Sequence, residues 1–214
     1  MTRARLTADI LRDRPGRRPG GSSIPPHPTP FRAALTAASA PATSGRPTAQ
    51  RTVRSQTGIA KQFGAAEVFA AGRDTTRLRT LSTLGADQAI TYDEIAAAKV
   101  DVVLDFVWGV PAAESMLPLL AARSDRSTPL TWVQIGSIAG DSAPIPSTAL
   151  RAAQLQIVGS GIGSVSPRDF IAELPELAAA VTDGSLDVQA RAVPLADIAQ
   201  VWDTPTSERL VFVP

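Results

Sequence analysis

The amino-acid sequence predicts an α/β protein built on a doubly wound, mostly parallel sheet, and two observations carry this prediction. From residue 58 onward, short apolar runs alternate with segments of helical periodicity, which is typical of β-α-β units. Several of these runs, such as VDVVLDFV (residues 100–107) and LTWVQIG (residues 130–136), are continuously apolar. Continuous apolar runs are typical of strands covered on both faces, as the strands of parallel sheets are.

Seven strands and four helices follow from these patterns. The helix bounds rest on residues that favour helix ends: Gly85 after the first helix, Pro111 in the first turn of the second and Ser166 as the N-cap of the third. The predicted strands are Glu67–Ala71, Gln88–Tyr92, Val100–Val107, Leu130–Ile135, Leu155–Ser160, Val188–Val193 and Leu210–Val213. The predicted helices are Thr75–Leu84, Pro111–Ala122, Ser166–Val181 and Pro194–Trp202.

Residues 1–57 differ from the rest of the chain in charge and composition. They hold 10 Arg and 2 Asp, a balance of +8, whereas residues 58–214 carry a balance of −7. Residues 14–30 are too rich in proline for a helix or a central strand, and residues 31–40 (FRAALTAASA) favour a short helix. We therefore predict a disordered basic tail at residues 1–57 and one folded domain at residues 58–214. A targeting segment, a nucleic-acid-binding arm and translation in a wrong reading frame are the alternatives for the tail.

The composition excludes several classes of function. The chain has no Cys and a single His, His27, so disulfides, thiolate metal sites and a Cys nucleophile are excluded, and no zinc site is expected. No apolar run approaches the roughly 18 residues that would span a bilayer. We expect a cytoplasmic protein with neither a membrane nor a nucleic acid as its partner.

The end of the strand Glu67–Ala71 is the best candidate site. Ligands of open α/β sheets bind at the carboxyl ends of strands, and here the strand runs into Gly72 and Arg73. An acid at this place would accept from the 2′-hydroxyl of NAD, whereas an arginine fork suits a 2′-phosphate. Arg77, four residues on, is expected on the same side. Two arginines predict NADP as the cofactor; the alternative is a solvated arginine beside a helix cap.

Other strand ends carry small or flat residues that permit close approach of a cofactor. They are expected along the same edge of the sheet, where cofactors bind, and a simple turn is the alternative for each glycine. These candidates are Trp108, Gly109, Gly136, Ser137 and Gly161. Asp105, inside an apolar strand, is predicted to cap a helix or join a polar network, in preference to a catalytic role.

Residues 58–214 resemble the cofactor-binding half of the medium-chain dehydrogenase/reductase superfamily, most closely its zinc-independent, quinone-oxidoreductase-like branch. The stretches that carry the resemblance are IAKQFGAAEVFAAGRD, LSTLGADQAITYD, VDVVLDFVWG, WVQIGSIAG, LQIVGSGIGSVSP and PLADIAQVWD. The resemblance implies a Rossmann-like domain in which Gly72, Arg73, Arg77 and Tyr92 contact the phosphate of NADPH. It also implies hydride transfer from NADPH to a small-molecule substrate, either a quinone or an activated carbonyl or alkene.

Two parts of the family pattern are missing. Residues 1–57 do not resemble the family's GroES-like substrate domain, and no glycine-rich turn precedes Gly58. The first strand is therefore expected to be absent or replaced, for example by residues 48–56. We expect a truncated or divergent cofactor-binding lobe and name no catalytic residue. The alternative is an inactive nucleotide-fold remnant or an oligomerisation module, with a homodimer formed through the sheet edge near residues 155–165.

Overall fold

Six parallel strands form the main sheet of the protein. In chain order they are β1 (Phe31–Thr36), β2 (Ala65–Gly72), β3 (Gln88–Thr91), β4 (Val102–Asp105), β5 (Leu130–Gln134) and β6 (Leu155–Gly159), and across the sheet they run in the order β3-β2-β1-β4-β5-β6. A second sheet pairs β7 (Ala190–Pro194) with β8 (Arg209–Val213), also in parallel. This computed structural model describes residues 31–36, 57–61, 64–73, 78, 85–164, 166–186, 190–204 and 209–214.

Helices connect the strands. Residues 57–61 are helical and lead into β2. The later helices are α1 (Gly109–Ala121), α2 (Ala149–Ala152), α3 (Pro167–Ala172), α4 (Leu174–Thr182) and α5 (Ile198–Val201), with 3₁₀ turns at Ile95–Ala98, Ile162–Ser164 and Leu195–Asp197. The predicted doubly wound parallel sheet is confirmed, and each of the seven predicted strands overlaps an observed one. The predicted helix Thr75–Leu84 lies outside the described residues except at Leu78, which is helical.

The first strand of the sheet is present, and residues 31–36 form it. The prediction of a helix over these residues is wrong, and so is the prediction that the first strand is absent or supplied by residues 48–56. β1 pairs in parallel with β2 on one side and with β4 on the other. Ala33, Ala34 and Leu35 have no exposed surface. Six residues assigned to the tail therefore occupy the centre of the sheet, while the predicted boundary at residue 57 stays a prediction.

The physical reason for this error lies in the residue types of β1. Alanine and leucine are good helix formers, and a short apolar run does not distinguish a buried strand from a buried helix. The tertiary partners decide the outcome here. Ala33 lies opposite Val68 on one side and Val102 on the other, and both of these are β-branched residues that fit a pleated surface.

The sheet is covered on both faces, as the continuous apolar runs predict. One buried cluster includes Leu35, Val68 and Leu104. The other includes Ala34, Phe69 and Trp132, together with apolar residues of α1. Because side chains alternate along a strand, adjacent residues of one strand enter opposite clusters.

The predicted helix Ser166–Val181 is broken into α3 and α4. The predicted N-cap is confirmed, because Ser166 Oγ accepts a hydrogen bond from the Asp169 N–H at 3.2 Å. The break falls at Glu173, two residues before Pro175. A proline has no N–H to bond the preceding turn and fits best in the first turn of a helix, so α4 starts anew at Leu174.

Among the described residues, no helix is both long enough and apolar enough to cross a membrane.

We predict that Leu35→Ala destabilises the protein by about 3 kcal/mol, because it opens a cavity beneath the central strand. The free energy of unfolding should be measured by urea denaturation followed by circular dichroism. Leu195→Ala is the matched control, since Leu195 is 55% exposed and should change stability by less than about 0.5 kcal/mol. Equal unfolding midpoints for the two variants would contradict the assignment of residues 31–36 to the centre of the sheet.

Candidate functional site

The carboxyl ends of the six parallel strands meet at one edge of the sheet, and the predicted site residues follow those ends. Gly72 is the last residue of β2, and Arg73 comes directly after it. Tyr92 follows β3, and the other candidates follow β4, β5 and β6. Arg77 lies outside the described residues. The structure thus places the described candidates at the edge where ligands of open α/β sheets bind, while their contacts with a cofactor stay a prediction.

Arg73, Tyr92 and a residue of α1 form a small group at this edge. The guanidinium carbon of Arg73 lies 5.9 Å from the centroid of the Tyr92 ring, within the range of a cation–π contact. A terminal nitrogen of Arg73 lies 3.7 Å from Glu114 Oε2. The side chains of Arg73 and Glu114 are 62% and 65% exposed, so the ion pair between them is screened by water. Arg73 is therefore held loosely, with its fork open to solvent.

Tyr92 is a neutral phenol at physiological pH. Burial raises the pKa of the Tyr92 hydroxyl, and the negative charge of Asp105 raises it further, while Arg73 acts in the opposite direction. The net shift is upward, so the O–H stays protonated well above neutral pH. The ring of Tyr92 therefore lies beside Arg73 as part of an uncharged side chain.

Asp105 is a fully buried carboxylate at the end of β4, and four donors satisfy it. Its Oδ1 accepts from Thr36 Oγ1 at 2.7 Å, from the Val107 N–H at 2.8 Å and from the Trp108 N–H at 3.1 Å. Its Oδ2 accepts from Trp132 Nε1 at 2.9 Å. The carboxylate therefore joins the ends of β1 and β4 to a side chain from the middle of β5 and fixes the loop after β4. This arrangement agrees with the predicted network role.

The loops after β4 and β5 approach each other so closely that only glycine fits. A Cβ on Gly136 would lie 2.7 Å from the carbonyl oxygen of Phe106. A Cβ on Gly109 would lie 2.9 Å from the carbonyl oxygen of Ala139, and the φ of Gly109 is +70°. The Ala139 N–H also donates to the Val107 carbonyl at 2.9 Å. These two glycines therefore lock the loops together, which is a structural reason for glycine that does not depend on a ligand.

Trp108 has a backbone conformation that residues other than glycine rarely adopt. Its φ is 53° and its ψ is −162°. The Asp105 carboxylate holds its N–H, and its side chain packs against the same core cluster as Tyr92. Strained residues of this kind concentrate at functional sites, where the surrounding structure determines them.

Ser137 and Gly161 are placed differently from the Arg73 group. Ser137 is exposed on the loop after β5. Gly161 lies beyond β6, its N–H donates to Ser164 Oγ at 3.0 Å, and a Cβ there would meet open space. The structure therefore gives no packing reason for glycine at position 161.

Sequence reasoning missed two residues of this edge. Thr36 was not predicted as a site residue because residues 31–40 favour a helix. The signal that could have indicated it is a hydroxyl residue directly after a short apolar run, at the end of a possible strand. Glu114 gives no local signal, since its contact with Arg73 joins residues far apart in sequence. In the part of the chain that the structure describes, no cluster of three or more His, Asp or Glu side chains is placed to hold a metal ion.

We predict that Asp105→Asn destabilises the protein by about 3 kcal/mol. An amide has one acceptor oxygen, so its NH₂ group would face either the Trp132 indole N–H or the loop N–H groups and leave buried donors unpaired. Urea unfolding followed by tryptophan fluorescence measures the change. Asp141→Asn at an exposed position is the control and should leave the midpoint unchanged. Equal stability of the two variants would show that the four hydrogen bonds do not hold the strand ends.

We predict that Gly136→Ala lowers the melting temperature by several degrees, because its methyl group would collide with the Phe106 backbone. Gly161→Ala adds the same methyl group where space is open and should leave the melting temperature within about one degree of the parent chain. Thermal unfolding by circular dichroism compares the two. A larger loss for Gly161→Ala would contradict the described packing.

The comparisons with known proteins agree with this geometry. The chain is similar to a probable NADPH-dependent quinone reductase, tdiC, of Emericella nidulans, with 28% identity over 180 residues, which are 73% of this chain and 49% of that protein. The chain thus spans about half the length of this curated relative. No protein-family model matches the chain.

Solved structures share the fold. A mycobacterial quinone oxidoreductase superposes with a TM-score of 0.66 at 17% identity, over 99% of this chain and 62% of that one. The quinone oxidoreductase of Thermus thermophilus, also determined in complex with NADPH, superposes with a TM-score of 0.55 at 20% identity, over 93% of this chain and 57% of that one. The similar sequence and the shared fold together confirm that the chain resembles the cofactor-binding half of the medium-chain dehydrogenase/reductase superfamily.

Proposed function

We propose that this chain is the NADPH-binding lobe of a quinone-oxidoreductase-like enzyme. The observation that carries the proposal is the position of Arg73. Its guanidinium stands at the carboxyl end of β2, beside the ring of Tyr92, and is 62% exposed. This is the strand end that meets the adenosine ribose in dinucleotide-binding sheets.

The chemistry of this strand end favours a phosphate over a ribose hydroxyl. Arginine offers several N–H donors in a planar fork and is always charged, which suits a 2′-phosphate. The Tyr92 side chain stays uncharged and places its ring beside the guanidinium, so it adds no negative charge that would oppose a phosphate. A site of this composition discriminates NADPH from NADH by one charged group, the phosphate itself.

The remaining candidates would hold the rest of the cofactor. Trp108 and Gly109 after β4, Gly136 and Ser137 after β5, and Gly161 after β6 all follow strand ends at the same edge. The contacts between the β4 and β5 loops make this part of the edge rigid, so a bound ring would be positioned without prior ordering of the protein. NADPH, when bound, supplies a hydride; the residues of this chain bind and orient it.

The pyrophosphate contact would come from the loop after β1. In dinucleotide-binding sheets this loop leads from the first strand into a helix whose N–H groups face the phosphates. Residues 37–56, which follow β1 in the chain, lie outside the described residues, and their sequence holds a single glycine, Gly45. We expect weaker pyrophosphate binding than a G-x-G-x-x-G turn provides.

The reaction proposed for the whole enzyme is hydride transfer to a quinone or to an activated carbonyl or alkene. The support is the quinone reductase relative, described as NADPH-dependent, and the quinone oxidoreductase fold that binds NADPH in Thermus thermophilus. The candidate residues of this chain bind cofactor, so we propose that residues beyond this lobe form most of the substrate pocket.

A second candidate function is a homodimerisation module with or without cofactor binding. β6 stands at the end of the strand order among the described strands, and its Ile157 is 38% exposed. A strand at a sheet edge presents backbone groups that another chain can pair with. Sedimentation velocity measures whether the chain is a dimer, and titration measures whether it binds NADPH. A dimer that binds no NADPH would favour the homodimerisation module.

We predict that the chain binds NADPH more tightly than NADH and that Arg73→Ala removes most of this preference. Loss of a charge-assisted phosphate contact should weaken NADPH binding about tenfold or more and leave NADH binding nearly unchanged. Tryptophan fluorescence during titration gives both dissociation constants.

Arg168→Ala, which removes an exposed arginine of α3, is the control for net charge. Absence of NADPH binding at millimolar concentrations would refute the proposed function. An unchanged preference in Arg73→Ala would refute the role of Arg73 alone.

A further inference from the structure

We propose that Glu114 is a specificity-determining residue that limits the affinity of the Arg73 site for a 2′-phosphate. The inference deepens the proposed function and rests on it for the identity of the ligand. Glu114 lies on α1, across the strand-end edge from β2, and its carboxylate approaches the guanidinium that the phosphate would use.

Glu114 cannot move far from Arg73. Its neighbours on α1, Ala113 and Ser115, are 4% and 2% exposed, and Ser115 Oγ donates to the Pro111 carbonyl at 2.8 Å. The backbone of this turn is therefore fixed against the core, and only the side chain of Glu114 can swing. The fixed backbone therefore keeps the Glu114 side chain within reach of Arg73.

Two effects of this carboxylate oppose phosphate binding. The Glu114 carboxylate lies 3.7 Å from a terminal nitrogen of Arg73, too far for a hydrogen bond but close enough to offset part of the positive charge that would attract a phosphate. The carboxylate also repels a phosphate dianion. With both side chains about two-thirds exposed, water screens this repulsion, and an effect of about three- to tenfold on affinity is expected.

The same carboxylate does not disfavour a ligand without the phosphate. A ribose 2′-hydroxyl carries no charge and can donate a hydrogen bond, so Glu114 has no repulsive partner at the 2′ position of NADH or adenosine. Glu114 therefore reduces the preference for NADPH over NADH that Arg73 creates. Tyr92 stays neutral and does not change this balance of charges.

The test compares the full chain, Glu114→Gln and Glu176→Gln with two pairs of ligands. Adenosine 2′-monophosphate and adenosine probe the phosphate site alone, by NMR shift changes; NADPH and NADH probe the whole cofactor, by tryptophan fluorescence. Glu176 is exposed on α4, whose core contacts are with Ile59 and Leu186. Glu176→Gln changes the net charge by the same amount as Glu114→Gln but away from Arg73. Circular dichroism checks that each variant is folded.

We expect Glu114→Gln to bind adenosine 2′-monophosphate about three- to tenfold more tightly than the parent chain, with adenosine unchanged and Glu176→Gln unchanged. The gain should shrink as salt is raised. Equal or weaker binding of the 2′-monophosphate by Glu114→Gln overturns the inference. So does a failure of every variant to bind it.

The two proposals can fail separately. If NADPH does not bind but the 2′-monophosphate binds more tightly to Glu114→Gln, the inference stands and the proposed cofactor function fails. If NADPH binds with equal affinity to the parent chain and Glu114→Gln, and the 2′-monophosphate does too, the proposed function stands and the role of Glu114 is refuted.

Discussion

The structure depends on the satisfaction of one buried negative charge. Asp105 has no exposed surface, and in the described residues its carboxylate meets hydroxyl, indole and backbone donors in place of a cation. A buried carboxylate is tolerated only when such donors are in place. These hydrogen bonds fix three neighbouring strands relative to one another, and with them the loop that carries Trp108. The hydrogen bonds that satisfy Asp105 therefore also position the edge of the sheet where we propose that the cofactor binds.

The sequence predicted the strands that read as apolar runs in the regular part of the chain and missed β1, whose residues favour a helix. β4 and β5 are continuous apolar runs, and their type and approximate bounds were predicted. β1 consists mostly of small residues, and what makes it a strand lies in Val68 and Val102, which are remote in sequence. Likewise Arg73 is visible as a strand-end residue, whereas its contact with Glu114 requires the three-dimensional arrangement.

Residues 1–57 and residues 58–214 differ in net charge, but β1, which lies in the first range, pairs with two strands of the second. Arg32, counted with the basic segment, pairs with Glu67 at 2.5 Å, and its guanidinium lies 4.9 Å from the centroid of the Phe69 ring. The backbone N–H of Arg32 also donates to Asp101 Oδ2 at 3.0 Å. The charge of an arginine in residues 1–57 is therefore paired with that of an acid in residues 58–214, whereas composition alone counts the two charges as a contrast between two parts of the chain.

The hydrogen bond between Thr36 and Asp105 has a consequence for how the chain folds during synthesis. The two residues are 69 positions apart, and contacts of this separation form late because chain entropy opposes them. During translation, β1 leaves the ribosome well before β4, with its apolar residues still lacking one of their two neighbours. The buried residues Ala33, Ala34 and Leu35 are therefore incompletely covered at that stage, and chaperone binding is expected there.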